Sequence, residues 1–155
     1  MALTEGEMIP DLTLVDSGGN TIKLRDFVGR KLVLYFYPKD DTSGCTKEAQ
    51  DFSQHRAAFD AAGVRLLGVS KDSPDKHRKF IDKYALTVPL ASDEPGTVLE
   101  AFGAWVEKSM YGKKYMGIER STFLFGADGR LARAWPKVKV PGHAAAVLEA
   151  ATALG

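Results

Sequence analysis

The sequence of 155 residues predicts a single α/β domain, residues 1–155, in which helices flank a mixed β-sheet. The run from Leu32 to Tyr37 is apolar throughout, as expected for a strand covered on both faces. Strand and helix patterns then alternate along the chain, which is typical of α/β folds. One domain commonly uses about 100–200 residues. A hydrophobic content of 45% is enough to fill its core.

Composition and charge exclude several classes of function. The 21 basic and 20 acidic residues leave a net charge of +1, so no chain-wide field attracts nucleic acid or an anionic membrane. The longest apolar stretch has six residues, whereas a membrane span needs about 20. Residues 1–7 lack the basic start and apolar block of a secretory signal. We therefore expect a soluble, cytoplasmic protein without a nucleic-acid or membrane partner.

The amino-terminal part begins with a β-hairpin. Residues 12–15 and 21–24 are short strand-like runs, and the glycine pair at residues 18–19 between them permits positive φ angles. The buried strand at residues 32–37 follows and is expected at the centre of the sheet.

The middle of the chain reads as helix, strand and helix. Turn-forming residues 38–44 lead into one helix at residues 45–62, and a second buried strand covers residues 64–70. Ser73 and Pro74 match a helix cap followed by proline at the first helical position.

Four further elements complete the predicted fold. They are a short strand (87–90), a short helix (95–102), a hairpin (121–125 and 131–135) and a last helix (142–153) that buries Val147, Leu148, Ala151 and Leu154. This order of elements is that of a thioredoxin-like α/β sandwich, with the strands at 32–37 and 64–70 parallel. In such sheets reactive groups gather beyond the carboxyl ends of the strands.

The only cysteine, Cys45, follows the strand at residues 32–37 at this edge. A single cysteine excludes an intrachain disulfide and a Cys-x-x-Cys motif. The start of a helix favours an anion by about 0.3–1 kcal/mol, and a hydrogen bond from a charged guanidinium adds about 1.5–3 kcal/mol. Together they would favour the reactive thiolate over the thiol. Arg120, just before the strand at 121–125, is the candidate arginine.

At this point the residues resemble a family. Residues 38–45, PKDDTSGC, fit the Pro-x-x-x-Thr-x-x-Cys signature of the peroxiredoxins. Residues 37–40 and 44–46 resemble the bacterioferritin comigratory protein, or peroxiredoxin Q, subfamily. The stretches at 117–123 and 135–143 resemble the same subfamily, and the similarity runs from about residue 9 to residue 148.

The resemblance implies a thiol-dependent peroxidase with four catalytic residues. Cys45 is then the nucleophile that attacks a peroxide oxygen as a thiolate and becomes a sulfenic acid. Arg120 stabilises the thiolate and the charge that moves onto the peroxide oxygens. Thr42 presents a hydroxyl to the peroxide and the sulfur, and Pro38 shields the thiolate from water.

Three residues are expected to support this site. The backbone N–H groups of Gly44 and Cys45 would bind the distal peroxide oxygen, Glu48 would hold the arginine, and Tyr37 would border the pocket. Each residue has a simpler structural reading, since Thr42 could cap the helix and Tyr37 could pack in the core. Their joint occurrence at the family's spacing favours the functional reading.

The chain departs from the subfamily pattern in its missing second thiol. Gln50 and Ile81 stand where many members carry a resolving cysteine, and Ser43 stands where the subfamily usually has proline. A one-cysteine mechanism follows, in which an external thiol regenerates Cys45. Thioredoxin, glutaredoxin with glutathione, and a small thiol all remain possible reductants. The resemblance favours a monomer and implies no cofactor.

Other readings stay open or are disfavoured. A redox sensor or holdase, switched by oxidation of Cys45 without turnover, is the rival function. A disulfide reductase is disfavoured because the Cys-x-x-Cys motif is missing. His55, His77 and His143 lack the spacing of metal ligands, and His143 is expected at a helix start or on the surface. Residues 107–139 contain eight basic and three acidic side chains, a surplus that suits solvent or an acidic reductant protein.

Overall fold

The computed structural model describes residues 3–155 and contains nine strands and five α-helices in that range. The strands are β1 (Thr13–Asp16), β2 (Thr21–Lys23), β3 (Lys31–Phe36), β4 (Val64–Ser70), β5 (Leu90–Ser92), β6 (Trp105–Met110), β7 (Lys113–Ile118), β8 (Ser121–Phe125) and β9 (Leu131–Trp135). The helices are α1 (Ser43–Gln54), α2 (Arg56–Ala61), α3 (Pro74–Tyr84), α4 (Thr97–Ala101) and α5 (His143–Ala153). A short 3-10 helix covers Leu24–Phe27.

Seven of the strands form one mixed sheet in the order β2-β1-β5-β4-β3-β8-β9. The three inner strands β3, β4 and β5 run parallel, and the hairpins on either side add antiparallel pairs. Tyr35 of β3 lies opposite Gly68 of β4. A Cβ atom on Gly68 would lie 2.5 Å from the ring of Tyr35, so only glycine fits there. The mixed sheet between helices agrees with the fold class predicted from the sequence.

Alternation along β3 divides the core into two layers. Leu32, Leu34 and Phe36 pack on one face of the sheet together with residues of α4. Val33 and Tyr35 pack on the other face together with residues of α1, α2, α3 and α5. Cys45 belongs to this second layer, which places the thiol between the sheet and the helices.

The single helix predicted for residues 45–62 is wrong, because α1 and α2 meet at a break around His55 (φ −93°, ψ 1°). The connection before β5 supplies the reason. The hydroxyl of Thr87 donates to the carbonyl of Ser53 over 3.2 Å, and the hydroxyl of Ser53 accepts the N–H groups of Thr87 and Val88 at 3.0 Å each. These long-range contacts hold the end of α1 against the connection before β5, at a position where the sequence has neither glycine nor proline.

The sequence pattern predicts no element for residues 103–120, and this too is wrong. β6 and β7 form a separate antiparallel ribbon, joined by a two-residue turn at Tyr111 and Gly112. Both turn residues have positive φ angles, 52° and 77°, as hairpin turns of this length require. Met110 and Met116 are exposed on the ribbon. The predicted strand at 87–90 lies slightly later, at Leu90–Ser92, and the predicted helix at 95–102 is shorter, at Thr97–Ala101.

The remaining elements are confirmed. The hydroxyl of Ser73 caps α3 by accepting the N–H of Lys76 over 3.3 Å, and Pro74 is the first helical residue. In α5, Val147 and Ala151 are buried. Leu148 and Leu154, the residue directly after the helix, were also expected to be buried but are only half-buried. Between residues 3 and 155, no helix combines the length and the apolar character needed to cross a bilayer.

Candidate active site

The thiol of Cys45 lies in the first turn of α1, at the edge of the sheet where β3 ends. Thr42 is the residue before the helix, and its carbonyl accepts the first helical hydrogen bond from the N–H of Thr46 over 2.8 Å. The N–H groups of Ser43, Gly44 and Cys45 precede that bond and therefore have no partner within the helix. Only 1% of Cys45 is exposed. The sulfur is thus held at the positive end of a helix and away from bulk water.

Arg120 lies between β7 and β8 and brings its guanidinium group to this helix start. Its Nη2 donates to Cys45 Sγ over 3.2 Å, and its Nη1 donates to Glu48 Oε1 over 2.5 Å. The carbonyl of Arg120 accepts the N–H of Val138 over 2.9 Å, which fixes the backbone beneath the side chain. One guanidinium therefore bridges the thiol and a carboxylate that lies one helical turn further along α1.

Gly44 leaves the space that the guanidinium occupies. A Cβ atom at Gly44 would lie 3.2 Å from Arg120 Nη2, closer than ordinary van der Waals contact. The glycine therefore allows Arg120 to lie against the first turn of α1.

Burial and charge shift the pKa values of Glu48 and Arg120 in opposite directions. Burial raises the pKa of Glu48 to about 7, although Arg120 partly offsets it. Burial lowers the pKa of Arg120, but the charges of Glu48 and Cys45 outweigh it and raise that pKa overall. Arg120 is thus charged at every relevant pH, while Glu48 titrates near neutrality. The second oxygen of Glu48, Oε2, is buried and has no hydrogen-bond partner within residues 3–155.

The other predicted site residues belong to the loop between β3 and α1. Pro38 and Thr42 are exposed in this loop. The hydroxyl of Thr42 donates to the carbonyl of Lys39 over 2.8 Å and does not cap the helix. Tyr37 is 1% exposed and packs in the same core layer as Cys45. Its hydroxyl donates to Asp40 Oδ1 over 2.6 Å, so it turns toward the inner side of the loop.

Two buried histidines lie near the site and have no role in the sequence-based prediction. His143 begins α5, and its Nε2 lies 2.8 Å from the hydroxyl of Thr122. Burial, aided by the charge of Arg120, lowers the pKa of His143 to about 4. The position at a helix start is as expected, but the surface alternative is wrong. His77 Nδ1 contacts Asp40 Oδ2 on the inner side of the loop. The two residues are 37 positions apart, so no local sequence pattern predicts this contact.

The arrangement suits nucleophilic chemistry at sulfur. The guanidinium of Arg120 and the N–H groups at the start of α1 place positive charge and hydrogen-bond donors beside the sulfur. The same groups favour negative charge that develops on an oxygen bound beside the sulfur. Within the described part of the chain, no three His, Cys, Asp or Glu side chains lie together as a metal site would require.

Comparison with known proteins agrees with this chemistry. The sequence model of the AhpC/TSA family matches residues 6–134. The chain belongs to this family. It is 48% identical to the putative peroxiredoxin bcp of Coxiella burnetii, over 96% of this chain and 98% of the relative. It is 47% identical to peroxiredoxin Bcp of Bacillus subtilis, over 96% of this chain and 95% of the relative.

Solved structures give the same assignment. Peroxiredoxin Q of Xanthomonas campestris matches with a TM-score of 0.90 and 48% identity, over 97% of this chain and 98% of that one. The bacterioferritin comigratory protein of the same organism, studied as a trapped intermediate or ligand complex for its alkyl peroxide reduction activity, matches with a TM-score of 0.90 and 47% identity, over 97% and 98% of the two chains. These findings confirm the resemblance to this subfamily and the thioredoxin-like fold.

Proposed function

We propose that the chain is a thiol-dependent peroxidase that reduces hydrogen peroxide and organic hydroperoxides at Cys45. The observation that carries the proposal is the guanidinium of Arg120, 3.2 Å from a buried sulfur at the start of a helix. The alkyl peroxide reduction activity of the Xanthomonas campestris relative supports the same reaction.

The first step oxidises Cys45. The thiolate attacks the terminal oxygen of the hydroperoxide, so that an S–O bond forms as the O–O bond breaks. The sulfur becomes a sulfenic acid, and the peroxide is reduced by two electrons to water or an alcohol. One proton is taken up by the departing oxygen. Thiolate, hydroperoxide and proton therefore give sulfenic acid and alcohol.

The groups around the sulfur have distinct roles in this step. Arg120 stabilises the thiolate and then the charge on the peroxide oxygens, and Glu48 keeps the guanidinium in place. The N–H groups of Gly44 and Cys45 bind the distal oxygen, as helix starts bind anions. Thr42 offers its hydroxyl to the peroxide.

Two residues before the helix complete the site. Pro38 covers the sulfur and stiffens the loop through its fixed φ angle. Tyr37 forms the inner wall of the loop, since its ring packs in the same layer as Cys45.

Regeneration uses thiols from outside the chain. Because the chain has one cysteine, an external thiol attacks the sulfenic sulfur, water leaves, and a mixed disulfide forms. A second thiol attacks that disulfide at the external sulfur and releases the Cys45 thiolate. Each turnover thus consumes one hydroperoxide and two thiols. The reductant is thioredoxin, glutaredoxin with glutathione, or a small thiol. Such thiols are kept reduced in the cytosol, so we place the reaction there. We further propose that the enzyme is a monomer.

A peroxide-consumption assay with each reductant tests the proposal. We expect many turnovers for the wild type and none for Cys45→Ser. Trapping with dimedone after one equivalent of peroxide should label Cys45 as a sulfenic acid in the mass spectrum. Lys47→Ala, a change at an exposed position of α1, is the matched control and should keep full activity. A single slow, stoichiometric oxidation with every reductant would contradict the proposal and favour the redox-sensor function.

A further inference from the structure

A buried polar cluster holds the loop between β3 and α1 from its inner side. His77 of α3 is fully buried. Its Nδ1 lies 2.7 Å from Asp40 Oδ2, and its Nε2 lies 3.0 Å from the carbonyl oxygen of Ala91 in β5. The hydroxyl of Tyr37 occupies the other oxygen of Asp40, Oδ1. Asp40 is thus bound through both oxygens, and His77 through both ring nitrogens.

The partners of His77 fix the orientation of its ring. The carbonyl of Ala91 only accepts, so Nε2 carries a hydrogen and donates it. The Nδ1 and Oδ2 atoms are 2.7 Å apart, within hydrogen-bond distance. His77 therefore joins β5 to the loop through two directional hydrogen bonds, and neither bond survives rotation of the ring.

Further contacts fasten the same loop. The N–H of Asp40 donates to Asp72 Oδ2 over 2.8 Å. Asp41 has a left-handed backbone conformation (φ 61°), and its carboxylate accepts from Lys83 over 2.8 Å and from the hydroxyl of Tyr84. The conformation of residues 40 and 41 is therefore imposed from α3 and from the end of β4. Contacts within the loop alone do not account for this conformation.

In the sequence, Asp40 comes two residues after Pro38 and two residues before Thr42, the two loop residues proposed to act on the peroxide. Buried pairs of ionisable groups are expensive and do little for stability compared with apolar residues of similar volume. Their better-attested use is to select one arrangement among several of similar energy. Here the arrangement selected is that of the loop that precedes Cys45.

We propose that His77 is a positioning residue that acts through Asp40 to hold Pro38 and Thr42 where the peroxide reacts with Cys45. This inference rests on the proposed peroxidase function. Misplacing a reacting group by about 1 Å costs on the order of 100-fold in rate. Loss of the His77–Asp40 contact should therefore slow the reaction with peroxide much more than reactions that need only a thiolate.

Two amide substitutions separate the two hydrogen bonds of His77. The side-chain nitrogen of asparagine occupies the place of Nδ1, and that of glutamine occupies the place of Nε2. His77→Asn therefore keeps the contact with Asp40 and loses the contact with Ala91. His77→Gln does the reverse. Lys79→Ala, at an exposed position of the same helix, serves as the control for any change in α3.

Each variant is mixed with hydrogen peroxide and, separately, with iodoacetamide, and the second-order rate constants of Cys45 are compared. We expect the peroxide rate of His77→Gln to fall about 10- to 100-fold, with its alkylation rate changed less than about twofold. His77→Asn and Lys79→Ala should stay close to the wild type for both reagents. In an Asp40→Asn background, His77→Gln should cause no further loss, because the partner is already changed.

Other outcomes overturn the inference. An unchanged peroxide rate in His77→Gln would remove the positioning role. Equal losses for both reagents would indicate a merely structural residue, as would equal losses in the Asn and Gln variants. Multiplying losses in the Asp40→Asn background would mean that His77 acts elsewhere. A wild type that does not react with peroxide would overturn the proposed function first, and the inference with it.

Discussion

Arg120 acts on the starts of two helices, α1 and α5, in different ways. In the first turn of α1, Cys45 accepts a hydrogen bond from Arg120. At the first position of α5, His143 has its pKa lowered to about 4, by burial and by the charge of Arg120. His143 is thus neutral near pH 7 and pairs with the hydroxyl of Thr122.

The difference follows from how Arg120 meets each group. At the start of α1 the guanidinium donates a hydrogen bond directly to the sulfur of Cys45. At the start of α5 its positive charge adds to burial, and both disfavour the ionised form of the His143 imidazole. The same guanidinium is therefore a hydrogen-bond donor at one helix start and a source of positive charge at the other. Substitutions at the shared arginine and around it separate the two effects.

Arg120→Ala should have the largest effect, because it removes the shared charge. We expect the rate of Cys45 with peroxide to fall about 10²–10³-fold, as when a donor to a developing oxyanion is lost. The pKa of His143 should rise from about 4 toward its ordinary value, since one of the two causes of its shift is gone. Stopped-flow kinetics and an NMR titration of His143 measure the two. Lys139→Ala removes an exposed cation nearby and should change neither. An unchanged pKa of His143 in Arg120→Ala would show that the charge of Arg120 does not act on the start of α5.

Glu48→Gln should show its effect in the pH dependence of stability. The pKa of Glu48 is raised from 4.5 to about 7 by burial. The folded state therefore binds the proton more tightly, and the associated stability is complete below pH 4.5 and lost as the pH rises through 7. Glutamine does not titrate, so the variant should gain about 3 kcal/mol relative to the wild type between pH 4.5 and pH 8. Urea unfolding at both pH values measures this, and parallel curves would contradict it.

His143→Gln should act in the opposite pH range. The pKa of His143 is lowered from 6.5 to about 4, so the folded state resists protonation and the wild type loses stability as the pH falls from 6.5 toward 4. Glutamine keeps a polar atom near the hydroxyl of Thr122 and removes the titration. The variant should therefore recover about 2 kcal/mol at pH 4 relative to pH 7. Thermal unfolding across this range measures the gain, and an acid-sensitive variant would show that another group is responsible.

Gly44→Ala should have the smallest effect, and it should lower the peroxide rate while raising the stability of the protein. The new Cβ atom would press on Arg120 Nη2 at 3.2 Å and shift the guanidinium by a few tenths of an ångström. We expect a loss of about three- to tenfold in the peroxide rate, while alanine stabilises the helix by about 0.5–1 kcal/mol. Slower kinetics with a higher Tm would support the described packing. A slower variant with a lower Tm would point to general damage instead.

The sequence predicts the parts of this molecule that depend on local chemistry. The apolar run at 32–37, the Ser73–Pro74 helix start and the two hairpins of the main sheet are confirmed because turn and strand signals lie within a few residues of each other. Cys45 and Arg120 are 75 positions apart. Their contact could be anticipated only through the resemblance to a family, because spacing alone does not bring a remote arginine to a helix start.

What the sequence does not predict depends on distant partners. Ser53, at the end of α1, is bonded to Thr87, and Asp40, in the loop before Cys45, is bonded to His77. The β6–β7 ribbon did have a local signal, the Tyr111-Gly112 turn between strand-like segments. The two strands contain lysines and exposed side chains in place of a regular alternation of apolar and polar residues, because the ribbon buries little of either face.

The seclusion of the sulfur, only 1% exposed, sets different conditions for the two halves of a catalytic cycle. A hydroperoxide is small enough to react with a sulfur enclosed by protein atoms, whereas a reductant must bring its own sulfur within bonding distance of Cys45. A small thiol needs less space for this than a protein thiol. We therefore expect the enclosure of the sulfur to slow reduction by a protein thiol more than oxidation by a hydroperoxide.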